Sequence, residues 1–578
     1  MKKTALIVCL SLVCGAFAAT YRNPVLTMDF SDPDVCLGHD GRFYMTASSF
    51  GGLPGLPILA SDDLVNWSYV GYALRRHPWE EDSWREGRPE HGNAVWAPSI
   101  RYRSRIVKTP VENGFSFEEK HEYVIYWGDP DRGAYRVSAP SPEGPWSEPR
   151  LVIEAKGLID TCPLYDDDGR VYLVNGWAQS RAGMNSVLTV RELDADETHA
   201  ISDPVLVYDG VPEGNFTTEG PKFYKRNGEY WLMFPAGGVP TGWQVAARAK
   251  SPFGPYEAKT VMAQGKSKIN GPHQGAWVAT RHGEDWFVHF SDRDAYGRIV
   301  YLEPMKWLEN GWPVIGIDDD GDGCGDPVEE YAMPKGGKVG EQKVYPQLDD
   351  EFDTPRLGLQ WQYLGKSRAD VGFPTTKGFF RLYSTPVVPT GSKSFSGVSF
   401  DNTWNTPNLL VQKFPAFNFT ATMKAQVGAK QDAEESGLLV QGMDYARVGL
   451  KSNGDNFDVV FTECHGADKG KSEKQKVVAS VKADIVGAGI RTAKVKDVWF
   501  QVEVRQGEVP PKGLCGAPMC TFSYSLDGSK WIEVNAKSPF KAREGKWIGA
   551  TVGLYALSDP DCKDRGWIDA DWFRVVRK

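Results

Sequence analysis

Asp32, Asp160 and Glu219 share one context: each stands nine residues ahead of the glycine of an Asp-Gly or Asn-Gly turn, at Gly41, Gly169 and Gly228. The same offset from the same kind of hairpin turn places all three at one station of a repeated unit, so carboxylates from distant parts of the chain are expected to face a common space. Like charges gathered in a partly dry cleft push one another's pKa values apart. That arrangement costs folding stability and is kept where one proton must be given and another taken. An acid, a base and a third charge that tunes them is the inventory for hydrolysing a glycosidic bond.

The elements that position these residues recur five times. Asp32-Pro33, Ala97-Pro98, Asp160-Thr161, Glu219-Gly220 and His273-Gln274 lead the repeats, at separations of 65, 63, 59 and 54 residues. Each lead is followed by an aromatic and β-branched run, such as Phe43-Tyr44-Met45 or Tyr230-Trp231-Leu232-Met233. About 55 to 65 residues holding four strands apiece is the size of a β-propeller blade. A second register agrees: Ser141-Pro142-Glu143-Gly144-Pro145-Trp146 recurs as Ser251-Pro252-Phe253-Gly254-Pro255-Tyr256, two periods later, as an outer-strand turn.

The whole chain of 578 residues exceeds what one core organises, and its 61 Gly, 38 Pro and 20 Trp favour short strands and turns over long helices. A net charge of -9 with no basic run makes nucleic acid a poor partner. Lys2 and Lys3, an apolar run to about Phe17 and Ala16-Phe17-Ala18 read as a cleavable signal peptide over 1–18, so a secreted or periplasmic protein is expected, with no membrane span. The expected organisation is a five-bladed β-propeller over 19–330, a Gly/Pro/Lys-rich linker over 331–347 and an all-β sandwich over 348–578. Seven cysteines remain after the signal; Cys515 and Cys520 are close enough in sequence to close a small loop, and no CxxC pair suggests zinc.

The chain resembles glycoside hydrolase family 43, the five-bladed propeller β-xylosidases and α-L-arabinofuranosidases, nearest the xylosidase branch with a C-terminal concanavalin-like sandwich. The likeness rests on ordered motifs: Asn23-Pro24-Val25-Leu26, Ser31-Asp32-Pro33-Asp34, Trp96-Ala97-Pro98-Ser99, Ile159-Asp160, Thr218-Glu219-Gly220-Pro221, Gly271-Pro272-His273-Gln274, Tyr296-Gly297-Arg298, and downstream Asp349-Asp350-Glu351-Phe352. It implies Asp32 as general base, Glu219 as general acid and Asp160 as the carboxylate that raises the acid's pKa and orients it, working by inversion. It also implies that Arg298 contacts sugar hydroxyls and, beside Asp160, keeps that carboxylate ionised. Phe50, Trp96 and Trp177 fall where relatives present aromatic walls to the terminal sugar, and His273 where an axial histidine helps hold calcium or water. Ser31 departs from the proline often found before the base.

A separate stretch, Asp318-Asp319-Asp320-Gly321-Asp322-Gly323 with Glu329, matches a calcium-loop spacing, with Asp318, Asp320, Asp322 and Glu329 as candidate ligands, although Pro327 interrupts it and no flanking helices are expected. No cofactor is required for the chemistry, and structural calcium is the one ion considered. The expected activity is exo-acting β-xylosidase action on xylo-oligosaccharides or xylan. The alternatives are α-L-arabinofuranosidase action on arabinoxylan and, from another class, a carbohydrate-binding propeller without catalysis. For the sandwich two roles stand open: a polysaccharide-binding module, or an architectural partner that shapes the pocket.

Overall fold

The computed structural model describes residues 19–79, 89–112, 114–337, 340–365, 371–386, 402–486, 492–510, 515–558 and 564–578. The segment 1–18, where a signal peptide is expected, with Cys9 and Cys14, and Cys562 lie outside the described residues. Five four-stranded antiparallel sheets follow one another along the chain, each a simple up-and-down meander, and form the five-bladed propeller. Their innermost strands are Asp34–Leu37, Trp96–Val111, Leu158–Tyr165, Lys222–Arg226 and His273–Ala279. The turns that the repeats announced are tight hairpins with the glycine in the left-handed region, φ 87° at Gly41, 85° at Gly169 and 77° at Gly228, a conformation only glycine adopts without strain. The two Ser-Pro-x-Gly-Pro segments link third to fourth strands of the second and fourth blades, each closed by its aromatic ring: Trp146 Nε1 donates to Pro142 O and the Tyr256 hydroxyl to Pro252 O.

The aromatic and β-branched runs fill the spaces between blades. Tyr44, Ile58, Ile100 and Trp127 pack between the first and second, and Trp231, Met233, Phe287 and Trp312 between the fourth and fifth. The ring is fastened from outside, because Thr20–Arg22 pairs antiparallel with Glu330–Ala332 just beyond the last blade, and Val25 N and Val300 N exchange bonds with Val300 O and Leu26 O. The connector over 331–347 therefore does not hang free: Val344 O accepts from both Thr27 N and Thr27 Oγ1.

The C-terminal unit is a concanavalin A-like sandwich of two sheets. One is centred on Thr551–Ser558, Glu435–Gln441 and Tyr445–Asn453, the other on Trp567–Arg577, Phe419–Ala429 and Thr492–Gln506. Alternation along Phe419–Ala429 sends Phe419, Ala421, Met423 and Ala425 inward against Phe500 and Phe573. This core is continuous with that between the fifth and first blades: Met45, Val288 and Tyr296 belong to the same buried cluster as Phe414, Val552 and Leu554. Further ties cross the boundary. Leu53 and Tyr363 exchange backbone bonds, Gln362 Nε2 donates to Pro54 O, and His91 stacks on Trp404 with centroids 3.7 Å apart. Cys515 and Cys520 are not joined: Cys515 Sγ donates to Arg293 O across the same boundary, and Cys520 turns into the sandwich core.

Candidate active site

Backbone strain does the aiming. Asp32 has φ 55° and Asp160 φ 58°, while in the fourth blade the left-handed residue is Gly220, φ 57°, directly after Glu219. A left-handed residue at the mouth of an inner strand breaks the strand's alternation and turns the side chain towards the propeller axis. For a non-glycine this costs on the order of 1–3 kcal/mol and persists only where the surroundings over-determine it. At Asp160 the kink coincides with a bulge between Ile159 and Cys162 in the ladder to the next strand. The shared offset in the sequence thus corresponds to a shared distortion in the structure.

The side chains then converge. Asp32 Oδ2 accepts a hydrogen bond from Ser48 Oγ at 2.5 Å, and its Oδ1 lies 3.5 Å from Arg298 Nη1. Asp160 Oδ2 accepts from the backbone N of Gly220 at 2.8 Å, which fixes the peptide next to Glu219. Glu219 Oε1 is 2.8 Å from His273 Nε2; the other imidazole nitrogen is buried without a hydrogen-bond partner among the described residues. Asp32 and Asp160 are buried, whereas the Glu219 side chain is 32% exposed, so of the three it is the one open to an incoming ligand. Burial pushes Asp32 above its ordinary value against the pull of Arg298 and the Ser48 hydroxyl. Burial, then the charges of Glu219 and Asp32, push Asp160 well above the usual aspartate range, opposed by the Gly220 N–H and by Lys222. Asp32 thus feels the charge of Glu219, and Asp160 that of both other carboxylates.

Arg298 is placed differently from the expectation that it would neutralise Asp160. It reaches Asp32 instead, because Arg298 enters the third strand of the fifth blade, which closes against the first. The fixed cation on the side of Asp160 is Lys222, whose buried ammonium donates to Pro98 O at 2.8 Å and Ser99 Oγ at 2.9 Å. Nothing in the lysine's spacing signalled this; it reads as an ordinary residue three after Glu219.

A pKa raised on folding is a stability statement with a definite sign. The folded protein holds the Asp160 proton more tightly than the unfolded chain does, so its contribution is favourable below the unfolded pKa and lost as pH rises through the folded one. Asp160→Asn, which still accepts from Gly220 N, is therefore expected to raise the melting temperature at pH 7 by a few degrees. The gain should shrink towards zero as pH approaches 3.8; a variant less stable than wild type at pH 7, measured by calorimetry, would contradict this.

Of the expected sugar walls, Trp96 is half-buried at the mouth, its Nε1 donating to Gly92 O, with Arg181 over the ring. Trp177 lies opposite Leu158 at the start of the blade-three inner strand, its Nε1 donating to Thr189 Oγ1. Phe50 is buried, paired through its backbone with Val95 beside Trp96. The aromatic that the sequence did not flag is Trp547. It comes from the sandwich, has φ 66° and is 47% exposed, meets Trp96 edge to face with centroids 6.4 Å apart, and lies 5.9 Å from the Arg298 guanidinium. More than two hundred residues separate Trp547 from the last blade, and a left-handed tryptophan leaves no trace in spacing.

The acidic loop brings together three of the four expected calcium ligands: Asp318, Asp320 and Asp322 each offer a carboxylate oxygen within 4.8 Å of the others, and Asp318 also accepts from the N–H groups of Gly321 and Gly323. Glu329 is a correction: it turns away to Lys268, 3.2 Å off, because Pro327 and the strand that follows carry it back along the propeller's edge. His273 has a carboxylate partner in Glu219, and its other nitrogen has no hydrogen-bond partner among the described residues, in a hub that also contains Lys222 and Arg101.

Comparison with known proteins matches both parts of the chain. Residues 21–313 match the model for glycosyl hydrolases family 43, and residues 349–576 that for the beta xylosidase C-terminal concanavalin A-like domain. A putative beta-xylosidase of Xylanibacter ruminicola is 34% identical over 92% of this chain and 86% of its own. A non-reducing end alpha-L-arabinofuranosidase of Bacteroides ovatus is 28% identical over 96% of this chain and 94% of its own. Among solved structures, the GH43 BlXynB protein from Bacillus licheniformis superposes with a TM-score of 0.74 at 20% identity, covering 97% of this chain and 100% of that one, a likeness of fold.

Proposed function

Since the chain belongs to glycosyl hydrolase family 43 and is a glycoside hydrolase, we propose that it is an exported, exo-acting β-xylosidase that releases xylose from the non-reducing ends of xylo-oligosaccharides with inversion. The observation that carries the reading is the division of labour among the carboxylates: Asp32, buried between the Ser48 hydroxyl and Arg298, and Glu219, half-open and tied to His273, come from the first and fourth blades. Asp32 takes a proton from water on one face of the sugar. Glu219 gives one to the departing oxygen on the other, and the water becomes the new anomeric hydroxyl with no covalent intermediate. Asp160, bonded to Gly220 N, holds the acid's backbone in place. Trp547 and Trp96, meeting at the mouth, favour a pocket for a terminal sugar over an open groove.

The rival substrate, a terminal α-L-arabinofuranoside, is favoured by the Bacteroides ovatus relative. Kinetics on nitrophenyl β-D-xyloside and nitrophenyl α-L-arabinofuranoside, with proton NMR of the first products, separate the readings. Higher kcat/KM on the xyloside and α-xylose as first product are expected. Preference for the arabinoside would replace the substrate, and β-xylose would replace Asp32 as base. Export is supported by the Lys2-Lys3 and apolar pattern of the first eighteen residues and is checked by N-terminal sequencing of the mature protein.

A further inference from the structure

The carboxylate of Asp29 ties together three pieces of chain that each carry a residue of the candidate site. Its Oδ1 accepts from Ser31 Oγ at 2.9 Å and from Arg298 N at 3.1 Å, and its Oδ2 accepts from Gly549 N, in the sandwich, at 2.9 Å. The same residue's carbonyl oxygen accepts from the ammonium of half-buried Lys413, also in the sandwich, which lies over the Phe30 ring. Phe30 N donates to Arg298 O and Ala550 N to Ala295 O, so the three segments are laced by backbone as well. The approach is close enough to require glycine: a Cβ at Gly297 would come within 2.5 Å of Asp29 Cβ, and one at Gly549 within 2.8 Å of Gly297 N.

On each strand of the knot the site residue is at most three positions from Asp29 or the residue it holds. Asp32 follows three residues on, Arg298 is the residue whose N–H is held, and Trp547 precedes Gly549 by two. Arg298 in turn touches both of the others, 3.5 Å from Asp32 and 5.9 Å from the Trp547 ring centre. Asp29 itself is 4% exposed and points away from solvent.

We propose that Asp29 is a positioning residue that makes the active site conditional on docking of the sandwich, by holding Arg298, the strand of Asp32 and the Trp547 loop in one register. The proposal rests on Asp32 and Arg298 acting at the reacting sugar, as set out above. A carboxylate suits the task because all three side-chain contacts are donors and it offers only acceptors. Asparagine has nearly the same shape but must turn an NH2 group towards either Gly549 N–H or Arg298 N–H, so one side of the knot opens whichever way the amide lies.

The test is a double-mutant cycle in the full chain, with kcat and KM on xylobiose for wild type, Asp29→Asn, Trp547→Ala and the double variant. Asp29→Asn is expected to lower kcat/KM about 30-fold or more, and Trp547→Ala, in that background, to add less than threefold to a loss that it causes in full on its own. A merely structural Asp29 would not produce this coupling: losses that multiply, or an Asp29→Asn enzyme with wild-type kinetics, overturn the proposal. Gly549→Ala opens the knot from the sandwich side without substituting any propeller residue, by driving a Cβ against the Gly297 backbone, and it should reproduce the Asp29→Asn kinetics even if Asp29→Asn itself does not fold; wild-type kinetics for Gly549→Ala count against the proposal. If Asp32→Ala keeps wild-type activity, the reading of the site has failed instead.

Discussion

Asp32→Ala is expected to lower kcat on nitrophenyl β-xyloside by about 10²- to 10⁴-fold, the usual contribution of a positioned base, and Glu219→Ala by a similar factor on natural xylobiose. The two losses should differ in kind. Protonating the leaving oxygen matters only when the leaving group is poor, so the Glu219→Ala enzyme should recover much of its rate on an activated aryl xyloside, whereas Asp32→Ala should not. The proposed roles fit the geometry: Asp32 is buried between Ser48 and Arg298, and Glu219 is the half-exposed carboxylate of the three. Because burial outweighs Arg298 at Asp32, the acidic limb of kcat/KM should lie above the ordinary aspartate value of 3.8. Recovery by the Asp32 variant on the activated substrate, or more than a tenth of wild-type kcat on any substrate, would reverse the assignment.

Removal of residues 349–578 is expected to abolish both solubility and activity, because the propeller does not end in a finished surface. Tyr296 and Met45 share a buried cluster with Phe414 and Val552, and the truncated chain would bare that apolar face. The expectation is a protein recovered only in aggregates, or with kcat/KM below about 1% of wild type. A soluble propeller of normal activity that had lost only its affinity for insoluble xylan would instead make the sandwich an independent module. The point substitution Trp547→Ala separates packing from contact. It leaves the shared core untouched and should raise KM about 10-fold, the order of one aromatic wall lost, with the melting temperature within about 2 °C of wild type.

Blade number, turn positions and the three carboxylates were legible because each is a local property repeated at a fixed interval. A glycine at φ 87° after Asp40 and one at φ 85° after Asp168 obey the same turn chemistry wherever they stand, and the residues nine ahead inherit the same station. What escaped depends on approach between segments far apart in sequence. Arg298 could be recognised as a site residue, but its partner depends on how the fifth blade closes against the first, and it is Asp32. Asp29 and Trp547 belong to contacts that span 269 and 520 residues or rest on one left-handed tryptophan, with no spacing to betray them. Glu329 illustrates the reverse error: a ligand pattern counts positions and ignores direction, and a proline with a following strand was enough to point it at Lys268.

The tryptophan at the mouth belongs to a different folding unit from every acid beneath it, borne on a short loop between Arg543 and Ala550. On the proposed roles, reaction and selectivity are therefore separable in inheritance. Drift in that loop can retune which oligosaccharide is admitted without disturbing the strained aspartates, so long as Gly549 is kept, and a library confined to residues 543–548 is where altered preference should be sought first.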